Sequence, residues 1–334
     1  MIQELSMQSF GPISQFETSR FGRINLFIGR NGTGKTYALK ALYAAQKSVE
    51  QYRRGDAPTN LKDLLFHHLY WTFQVKQLSQ LVRKGESQLS FQMKSELGAS
   101  FQYSFGTSTN SEIKNVESTY EPSEENTIFI PAKEVISLQE CILKLHDKDR
   151  MFGFDLTYVD LARAMSFTSP GRVSTLFKDV RTQLNEVLGG EVLLSKKKKE
   201  WIYRDMENHE YAIALASEGI KRLSILRLLL SNHYLTSGSI IFIDEAEANL
   251  HPALLTRFME CVVRLAEAGI QFFISSHSYF VLKNLYILAI QKQMSIPVFS
   301  FEEDGIHPYD LKDGMPENPI VQESINIYRR EIDL

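Results

Sequence analysis

The chain has 334 residues, of which 43% are hydrophobic and 23% charged, as in an ordinary globular protein with room for one large or two modest domains. Its formal net charge of −3 gives no overall signature of nucleic-acid binding, so any such binding has to come from a local patch. No apolar stretch approaches the roughly twenty residues of a membrane span and the first residues lack a signal-peptide pattern, so we expect a cytoplasmic protein without membrane contact.

The first patterned segment contains a strand, a glycine-rich loop and a helix. Residues 1–18 predict short strands around a turn at residues 10–13, residues 24–28 are typical of a buried strand, and residues 37–49 have the spacing of an amphipathic helix. The loop between them fits the pattern G-x-x-x-x-G-K-[ST], with the residues Gly29, Arg30, Asn31, Gly32, Thr33, Gly34, Lys35 and Thr36. This order predicts a phosphate-binding loop.

Each residue type in the loop suits a nucleoside triphosphate. A polyanion must be wrapped by backbone N–H groups at the start of a helix, and glycines allow that close approach. Lys35 is placed to reach the β and γ phosphates, and the Thr36 hydroxyl is a suitable ligand for Mg²⁺. The predicted nucleotide-binding residues of this segment are Arg30, Asn31, Gly32, Thr33, Gly34, Lys35, Thr36 and Tyr37.

The middle of the chain gives coarser predictions. After a break at residues 53–58, residues 61–82 have helical spacing, and residues 88–105 alternate in a way suited to strands before a polar loop at 106–111. Residues 127–130 form a short apolar strand, and residues 132–188 are mostly helical with an interruption at 169–171. No apolar heptad repeat is sustained, so we expect no long coiled coil.

A hairpin and a helix start follow. Residues 191–194 and 201–204 predict two strands with four lysines at the tip, residues 196–199, and residues 211–215 predict a third strand. The lysines either contact phosphates or form a solvated turn. Ser217 and Gly219 then precede an apolar helix at residues 223–230, where a hydroxyl and free N–H groups can cap the helix and also bind an anion.

Two further strands bring acidic and basic groups to the same edge of a sheet. An apolar strand at residues 240–243 ends in Asp244, predicted to hold Mg²⁺, and Glu245, predicted to be the general base for the attacking water. A helix at residues 253–268 and a strand at 271–274 complete a β-α-β unit, so His277 should emerge near Asp244 and bind the terminal phosphate or the water. Lys35, Glu245 and His277 are therefore the predicted catalytic residues.

The order of these motifs resembles the ATP-binding-cassette (ABC)-type ATPases of the SMC, RecF and OLD group. The Ser217-Glu218-Gly219 helix start and the segment from Asp244 to Pro252, which includes Asn249-Leu250-His251, are most similar to the compact OLD-like ATPases of bacterial antiphage systems such as Septu or retron-associated systems. The resemblance implies an α/β ABC-type head over residues 1–334, with a phosphate-loop lobe at 1–50, a mixed β-sheet and helical insertion at 51–190, and a lobe at 191–334 with signature, Walker B and switch histidine. A long coiled coil and a Toprim nuclease domain are not expected.

The same resemblance implies ATP and Mg²⁺ as cofactors and Mg²⁺-dependent hydrolysis. Two heads would dimerise face to face, or form a larger oligomer, with Ser217 and Gly219 of one head completing the ATP site of the other. Asn249 would lie at the dimer interface, with Lys221 or Arg222 near the partner head. Gln139 is a candidate for the glutamine that senses Mg²⁺.

These features predict a dimeric ATP-driven switch of an antiphage defence system that controls a separately encoded effector, either a nuclease or a toxin, with nucleic acid as a further candidate partner. The alternatives are a RecF-like or SMC-like DNA repair ATPase and the nucleotide-binding subunit of an ABC transporter. The large insertion before the signature argues against the transporter. About fifty residues follow His277, and their acidic residues Asp304, Asp310 and Asp313 form no two-metal nuclease pattern, so a strand and a helix completing the ATPase are expected.

Overall fold

The computed structural model describes residues 1–54, 60–167, 175–195 and 200–334. The lysine run at residues 196–199, the interruption at 169–171 and part of the break at 53–58 lie outside the described residues. The strands are β1 Ile2–Phe10, β2 Ile13–Thr18, β3 Ile24–Gly29, β4 Gln88–Ser95, β5 Ser100–Gly106, β6 Asn115–Ser118, β7 Thr127–Ile130, β8 Gly190–Ser195, β9 Glu200–Asp205, β10 Glu210–Ala212, β11 Ile240–Ile243, β12 Gln271–Ser276, β13 Pro297–Phe301 and β14 Ile306–Asp310. The α-helices are α1 Lys35–Gln51, α2 Leu61–Phe73, α3 Gln139–Leu143, α4 Leu156–Met165, α5 Thr175–Leu188, α6 Glu218–Ser231, α7 Pro252–Glu267, α8 Tyr279–Lys292 and α9 Pro319–Ile332.

A six-stranded sheet with the order β14-β13-β3-β12-β11-β7 carries the predicted site. All its neighbours pair in parallel except β14, which is antiparallel to β13. The five parallel strands are buried along their whole length, which explains their continuous apolar sequences. The carboxyl ends of β3, β12 and β11 therefore meet at one edge, where α/β sheets place their ligands.

An antiparallel sheet with the order β2-β1-β4-β5-β6 packs against the first sheet through aromatic side chains. Phe16 of β2 contacts Phe27, Phe299 and Phe301 of the parallel sheet, with ring centroids 5.2–5.6 Å apart. This sheet combines strands from the segments 1–50 and 51–190, because β1 pairs with both β2 and β4. The chain returns to its first strands before it enters the helical region.

The helical region packs on the other face of the parallel sheet. Helices α3 to α7 contribute to one apolar core cluster with β3, β7, β11 and β12, and the small antiparallel sheet β10-β9-β8 lies next to α5 and α6. Among the described residues no helix is longer than the 17 residues of α1. None of the helices described is long and apolar enough to cross a bilayer.

The α/β class, the mixed sheet lobe and the helical lobe are confirmed, and the described residues contain no long coiled coil, as expected. The predicted helix at residues 61–82 is too long, because Gln74 takes a left-handed conformation with φ 52° and ends α2, after which residues Leu78–Leu81 form a 3-10 turn. The predicted third hairpin strand is too long as well, since Ile213–Leu215 is another 3-10 turn. Strand β6 follows the predicted polar loop and was not expected.

The residues after His277 complete the parallel sheet. They form α8, the strands β13 and β14, and α9, rather than a single strand and helix. Their carboxylates serve local turns: Asp310 accepts hydrogen bonds from Ser295 Oγ at 2.5 Å and from the Ile296 N–H at 3.1 Å, and Asp304 lies 3.0 Å from His307 Nε2.

Candidate nucleotide site

The glycines of the phosphate loop differ in what they contact. Gly29 has a φ of 144°, and a Cβ there would lie 2.3 Å from the carbonyl oxygen of Phe301 in β13, so the neighbouring strand excludes any side chain. Gly34 has a φ of 102° and precedes α1 without a side-chain cap. Gly32 has a φ of 81°, and a Cβ there would meet nothing within 4 Å. The first N–H groups of α1 thus have no capping side chain, which fits a polyphosphate ligand.

Lys35 is held inside the loop. Its Nζ donates to the carbonyl oxygens of Gly29 at 2.8 Å and Arg30 at 2.6 Å. Burial lowers the pKa of Lys35, and the negative charges of Asp244, Glu245 and Glu247 oppose that effect. The ammonium group is therefore placed between the phosphate loop and the acidic end of β11.

Asp244 connects the ends of β11 and β12 to the start of α1. Its Oδ1 accepts hydrogen bonds from Thr36 Oγ1 at 2.8 Å and from Ser275 Oγ at 2.5 Å, and the side chain is buried. Thr36 lies in the first turn of α1, which follows β3, and Ser275 belongs to β12, so the parallel register brings these oxygens together. A hydroxyl and a carboxylate in contact are the oxygen ligands that Mg²⁺ prefers, and the two residues predicted to hold it fit that ion.

Glu245 occupies an unusual backbone position. Its φ is 48°, a left-handed conformation that non-glycine residues adopt mainly where the surrounding structure enforces it. Its N–H donates to Ser275 Oγ at 2.9 Å, and its carbonyl oxygen accepts from Arg222 at 2.8 Å. Within the described part of the chain, the half-buried carboxylate makes no hydrogen bond. The backbone is fixed while the side chain is left free, which suits a general base.

His277 follows β12 and reaches the same turn. Its backbone N–H donates to Glu247 Oε1 at 2.8 Å, and its Nδ1 lies 3.3 Å from that oxygen. The imidazole is 46% exposed. The structure thus places His277 beside the turn that carries Asp244 and Glu245.

Ser217 and Gly219 begin α6. Ser217 is exposed and caps the helix by accepting a hydrogen bond from the Ile220 N–H at 3.3 Å. Gly219 is buried, and a Cβ there would lie 3.0 Å from the carbonyl oxygen of Asn249, which itself has a φ of 60°. The start of α6 therefore packs against the loop that follows the acidic turn.

Arg222 connects α6 to the ends of two sheet strands. Its guanidinium donates to the carbonyl oxygens of Pro131 at 3.2 Å, Ala132 at 2.9 Å, Asp244 at 2.7 Å and Glu245 at 2.8 Å. Burial lowers the pKa of Arg222 to about 10, while nearby carboxylates oppose that shift, so the group is charged at neutral pH. Arg222 thus makes its contacts within one head, and Lys221 pairs with Glu218 of its own helix at 2.8 Å.

Some predicted residues make other contacts. The Tyr37 ring packs against Phe10 and Phe73, with centroids 5.7 and 4.6 Å away, and burial raises the pKa of Tyr37 to about 12. Its side chain faces the antiparallel sheet, so only its backbone remains for a nucleotide.

The amide of Gln139 is occupied by Ala162 O, Ser166 Oγ and Trp201 Nε1, which leaves it no role in sensing Mg²⁺ in this arrangement.

The outer loop residues lie at the surface. Arg30 and Asn31 are exposed, and Thr33 Oγ1 donates to the Arg30 carbonyl oxygen at 2.9 Å. Two residues of the site, Ser275 and Glu247, were not predicted. The structural role of Arg222 was not predicted either. Ser275 and Glu247 are close in sequence to predicted residues, in the segments Ser-Ser-His and Asp-Glu-Ala-Glu. That closeness could have identified them. Arg222 gave no such signal, because its acceptors lie on strands far away in sequence.

Comparisons with solved structures agree with the fold. The SMC head bound to the C-winged helix domain of ScpA has a TM-score of 0.55 and 13% identity, with 92% of this chain and 97% of that chain covered. The SMC head with an extended coiled coil, bound to the C-terminal domain of ScpA and derived from Pyrococcus furiosus, has a TM-score of 0.52 and 13% identity, with 100% and 99% covered. At this identity the likeness shows the fold alone. No curated protein sequence matches the chain.

A family profile described as "AAA domain, putative AbiEii toxin, Type IV TA system" matches residues 24–283, which include every predicted site residue. The matched segment begins with β3 and ends in α8, so it spans the parallel sheet edge on which the site is built. The chain, which has the fold of an SMC-type ATPase head, therefore belongs to this AAA-domain family.

Proposed function

We propose that the chain is a Mg²⁺-dependent ATP hydrolase. The observation that carries the proposal is the hydrogen-bonded set of Thr36, Asp244 and Ser275, with Lys35 held above it and the free carboxylate of Glu245 beside it. A polyphosphate site, a pair of Mg²⁺ ligands and a base at the same sheet edge are the parts that phosphoryl transfer to water needs.

The roles of the chain's own groups follow from their positions. The free N–H groups of the loop and the Lys35 ammonium bind the phosphates, and Thr36 and Asp244 would hold Mg²⁺, which neutralises phosphate charge. Glu245 accepts a proton as the water oxygen bonds to the γ-phosphorus and the bond to the β–γ bridging oxygen breaks, which yields ADP and phosphate. His277 hydrogen-bonds the terminal phosphate or the water.

The proposed working unit is a dimer of heads. Ser217 is exposed, and among the described residues its hydroxyl hydrogen-bonds only the N–H of Ile220 in its own helix, so the side chain lies open to a second molecule. Asn249 is also exposed. These features support a composite site to which Ser217 and Gly219 of the second head contribute.

The first test is the variant Glu245→Gln, which keeps the shape of the side chain and removes the base. We expect kcat to fall by about a hundredfold or more, while ATP binding persists and the head dimer accumulates in size-exclusion chromatography with ATP and Mg²⁺. Glu260→Gln on α7, which changes a carboxylate outside the site, is the control. Normal turnover in Glu245→Gln would show that Glu245 is not the base.

We further propose that this ATPase acts in bacterial antiphage defence and controls a separately encoded nuclease or toxin. The family description names a toxin of a toxin–antitoxin system, and the SMC heads are solved with a bound partner protein, which supports a role with a second protein. A conformational switch fits this role, since ATP would shift the heads between two states only through its different affinity for them.

The effector proposal is tested by pull-down of the protein encoded next to this chain, with and without ATP. We expect binding that depends on ATP in wild type, persists in Glu245→Gln and is lost in Lys35→Ala, because Lys35 belongs to the nucleotide site. Equal binding by all three proteins would instead indicate a constitutive scaffold.

A DNA repair ATPase is the second candidate, favoured by the fold shared with SMC heads over most of the chain. Hydrolysis measured with and without duplex DNA separates the two functions. Strong stimulation by DNA, together with unchanged phage resistance on deletion, would favour repair over defence.

A further inference from the structure

Glu247 lies three residues after Asp244 and contacts His277. One carboxylate oxygen, Oε1, accepts the His277 backbone N–H at 2.8 Å and lies 3.3 Å from His277 Nδ1. The Glu247 side chain is only 14% exposed, compared with 46% for His277. A carboxylate that is only 14% exposed therefore holds the backbone of His277 and lies against one nitrogen of its accessible ring.

The second oxygen of this carboxylate, Oε2, is buried and has no hydrogen-bond partner in the described part of the chain. Buried carboxylates normally have their oxygens satisfied, and exceptions concentrate where function uses them. Neither Lys35 nor Arg222 hydrogen-bonds Glu247, although both lie close enough to experience its charge. The backbone hydrogen bond to His277 accounts for one carboxylate oxygen and leaves the other unexplained.

The chemistry of the contact determines which ring nitrogen carries hydrogen. If Nδ1 had a lone pair, it would face a carboxylate oxygen 3.3 Å away, and the two would repel. With hydrogen on Nδ1, the contact becomes attractive. A histidine whose Nδ1–H faces a carboxylate has its tautomer set by that partner, and its Nε2 is then free for the reaction.

We propose that Glu247 is a positioning residue of the ATPase reaction, which keeps the proton on Nδ1 of His277 and leaves Nε2 to contact the terminal phosphate or the attacking water. The inference rests on the proposed ATP hydrolysis and deepens it. Glu247 acts through His277 and is distinct from the base, Glu245, whose carboxylate is free.

The first test measures the tautomer directly, in protein labelled with ¹⁵N-histidine and free of nucleotide. Long-range ¹H–¹⁵N spectra recorded at alkaline pH distinguish hydrogen on Nδ1 from hydrogen on Nε2, and His277→Asn assigns the signal. We expect Nδ1–H in wild type and in Glu247→Gln, whose amide oxygen can still accept. In Glu247→Ala the Nε2–H form should appear.

The second test is kinetic. We expect Glu247→Ala to lower kcat by about 10–100-fold, as for other residues that orient a functional histidine, with KM for ATP changed less than about threefold. Glu247→Gln should recover most of kcat. Glu247→Ala combined with His277→Ala should be no slower than His277→Ala alone, because the two residues act as a unit.

Controls and outcomes separate this inference from the proposed function. Glu260→Gln, outside the site, should leave both the His277 spectrum and kcat unchanged. An unchanged Nδ1–H signal in Glu247→Ala, or additive losses in the double variant, would overturn the inference even if wild type hydrolyses ATP. Absence of hydrolysis by wild type would overturn the proposed function, and the tautomer shift would then still support the contact.

Discussion

At the scale of single residues, Arg222 shows how a buried charge can organise a site without entering its chemistry. Its four acceptors are all backbone carbonyl oxygens at the ends of β7 and β11. Two of them belong to Asp244 and Glu245, so the guanidinium fixes the turn in which Glu245 adopts its left-handed conformation. The planar guanidinium has several N–H donors in a fixed geometry, which suits it to bind four carbonyl oxygens. A lysine ammonium is not suited to this arrangement.

We predict that Arg222→Met lowers the free energy of unfolding by about 3–5 kcal/mol, because it leaves several buried carbonyl oxygens without donors. Urea unfolding followed by circular dichroism measures the change. Arg257→Met is the matched control: this arginine is 61% exposed and pairs with Glu260, a surface contact worth about 0–1 kcal/mol. A loss for Arg222→Met no larger than the loss for Arg257→Met would contradict the role assigned to these four contacts.

Residue types and spacing predict that the phosphate loop, Asp244, Glu245 and His277 lie at one sheet edge, but they did not identify Ser275 or Glu247. The predicted groups come to that edge because each follows a parallel strand. The direction of a side chain could not be predicted in this way. Tyr37 lies in the predicted loop segment, yet its ring packs on Phe10 and Phe73, a contact that depends on how the second sheet docks.

At the scale of elements, the packing of α1 against α2 contains a buried histidine. His68 of α2 is 1% exposed, and its Nδ1 lies 2.8 Å from Ser48 Oγ on α1. Burial lowers the pKa of His68 well below its usual value, with smaller contributions from His67 and Lys47. The folded protein therefore keeps this ring neutral at pH values where the unfolded chain would bind a proton.

This difference gives stability a defined pH dependence. The unfolded state binds more protons than the folded state below about pH 6.5, so we predict that the free energy of unfolding falls as pH decreases from there. His68 alone contributes a slope of up to about 1.4 kcal/mol per pH unit. Urea unfolding of wild type and His68→Gln between neutral and mildly acidic pH measures it, and parallel curves for the two proteins would contradict the assignment.

Helices and strands could be predicted from the sequence where the pattern of apolar residues lies within one segment. The buried parallel strands have continuous apolar sequences, which are recognisable in one segment at a time. The end of α2 was missed because the apolar spacing continues through Leu78 and Leu81, which are buried in a 3-10 turn rather than in the helix. Periodicity does not distinguish these two backbones over so few residues.

At the scale of the whole molecule, the composite site makes a prediction about mixtures of variants. Lys35→Ala would damage the phosphate loop of its own head, whereas Ser217→Arg would block what a head offers to its partner; because Ser217 also caps α6, circular dichroism must first show that Ser217→Arg folds like wild type. Each variant alone should be inactive. A mixed dimer would contain one site in which both parts are damaged and one in which both are intact.

We therefore expect an equimolar mixture to recover up to about a quarter of wild-type ATP turnover, since half of the randomly formed dimers are mixed and each has one working site. Turnover measured against total protein tests this. Lys35→Ala mixed with Glu245→Gln is the control, because both changes affect the same head's own half of the site. Its mixed dimers lack an intact site, and no recovery is expected. Recovery in neither mixture would contradict sharing of sites between heads.

The close contact of Gly219 with the Asn249 carbonyl oxygen, 3.0 Å from where a Cβ would stand, has a thermodynamic consequence for such a dimer. Gly219 would sense the nucleotide of the second head, and Asn249 continues the turn that would hydrolyse the nucleotide of its own head. Because this packing leaves no room for a side chain, a shift of the α6 start in response to one nucleotide would move the turn beside the other, and linkage requires the resulting coupling free energy to be equal in both directions. The two ATP sites would then influence each other's affinity reciprocally, through a backbone contact that exists in each head before dimerisation.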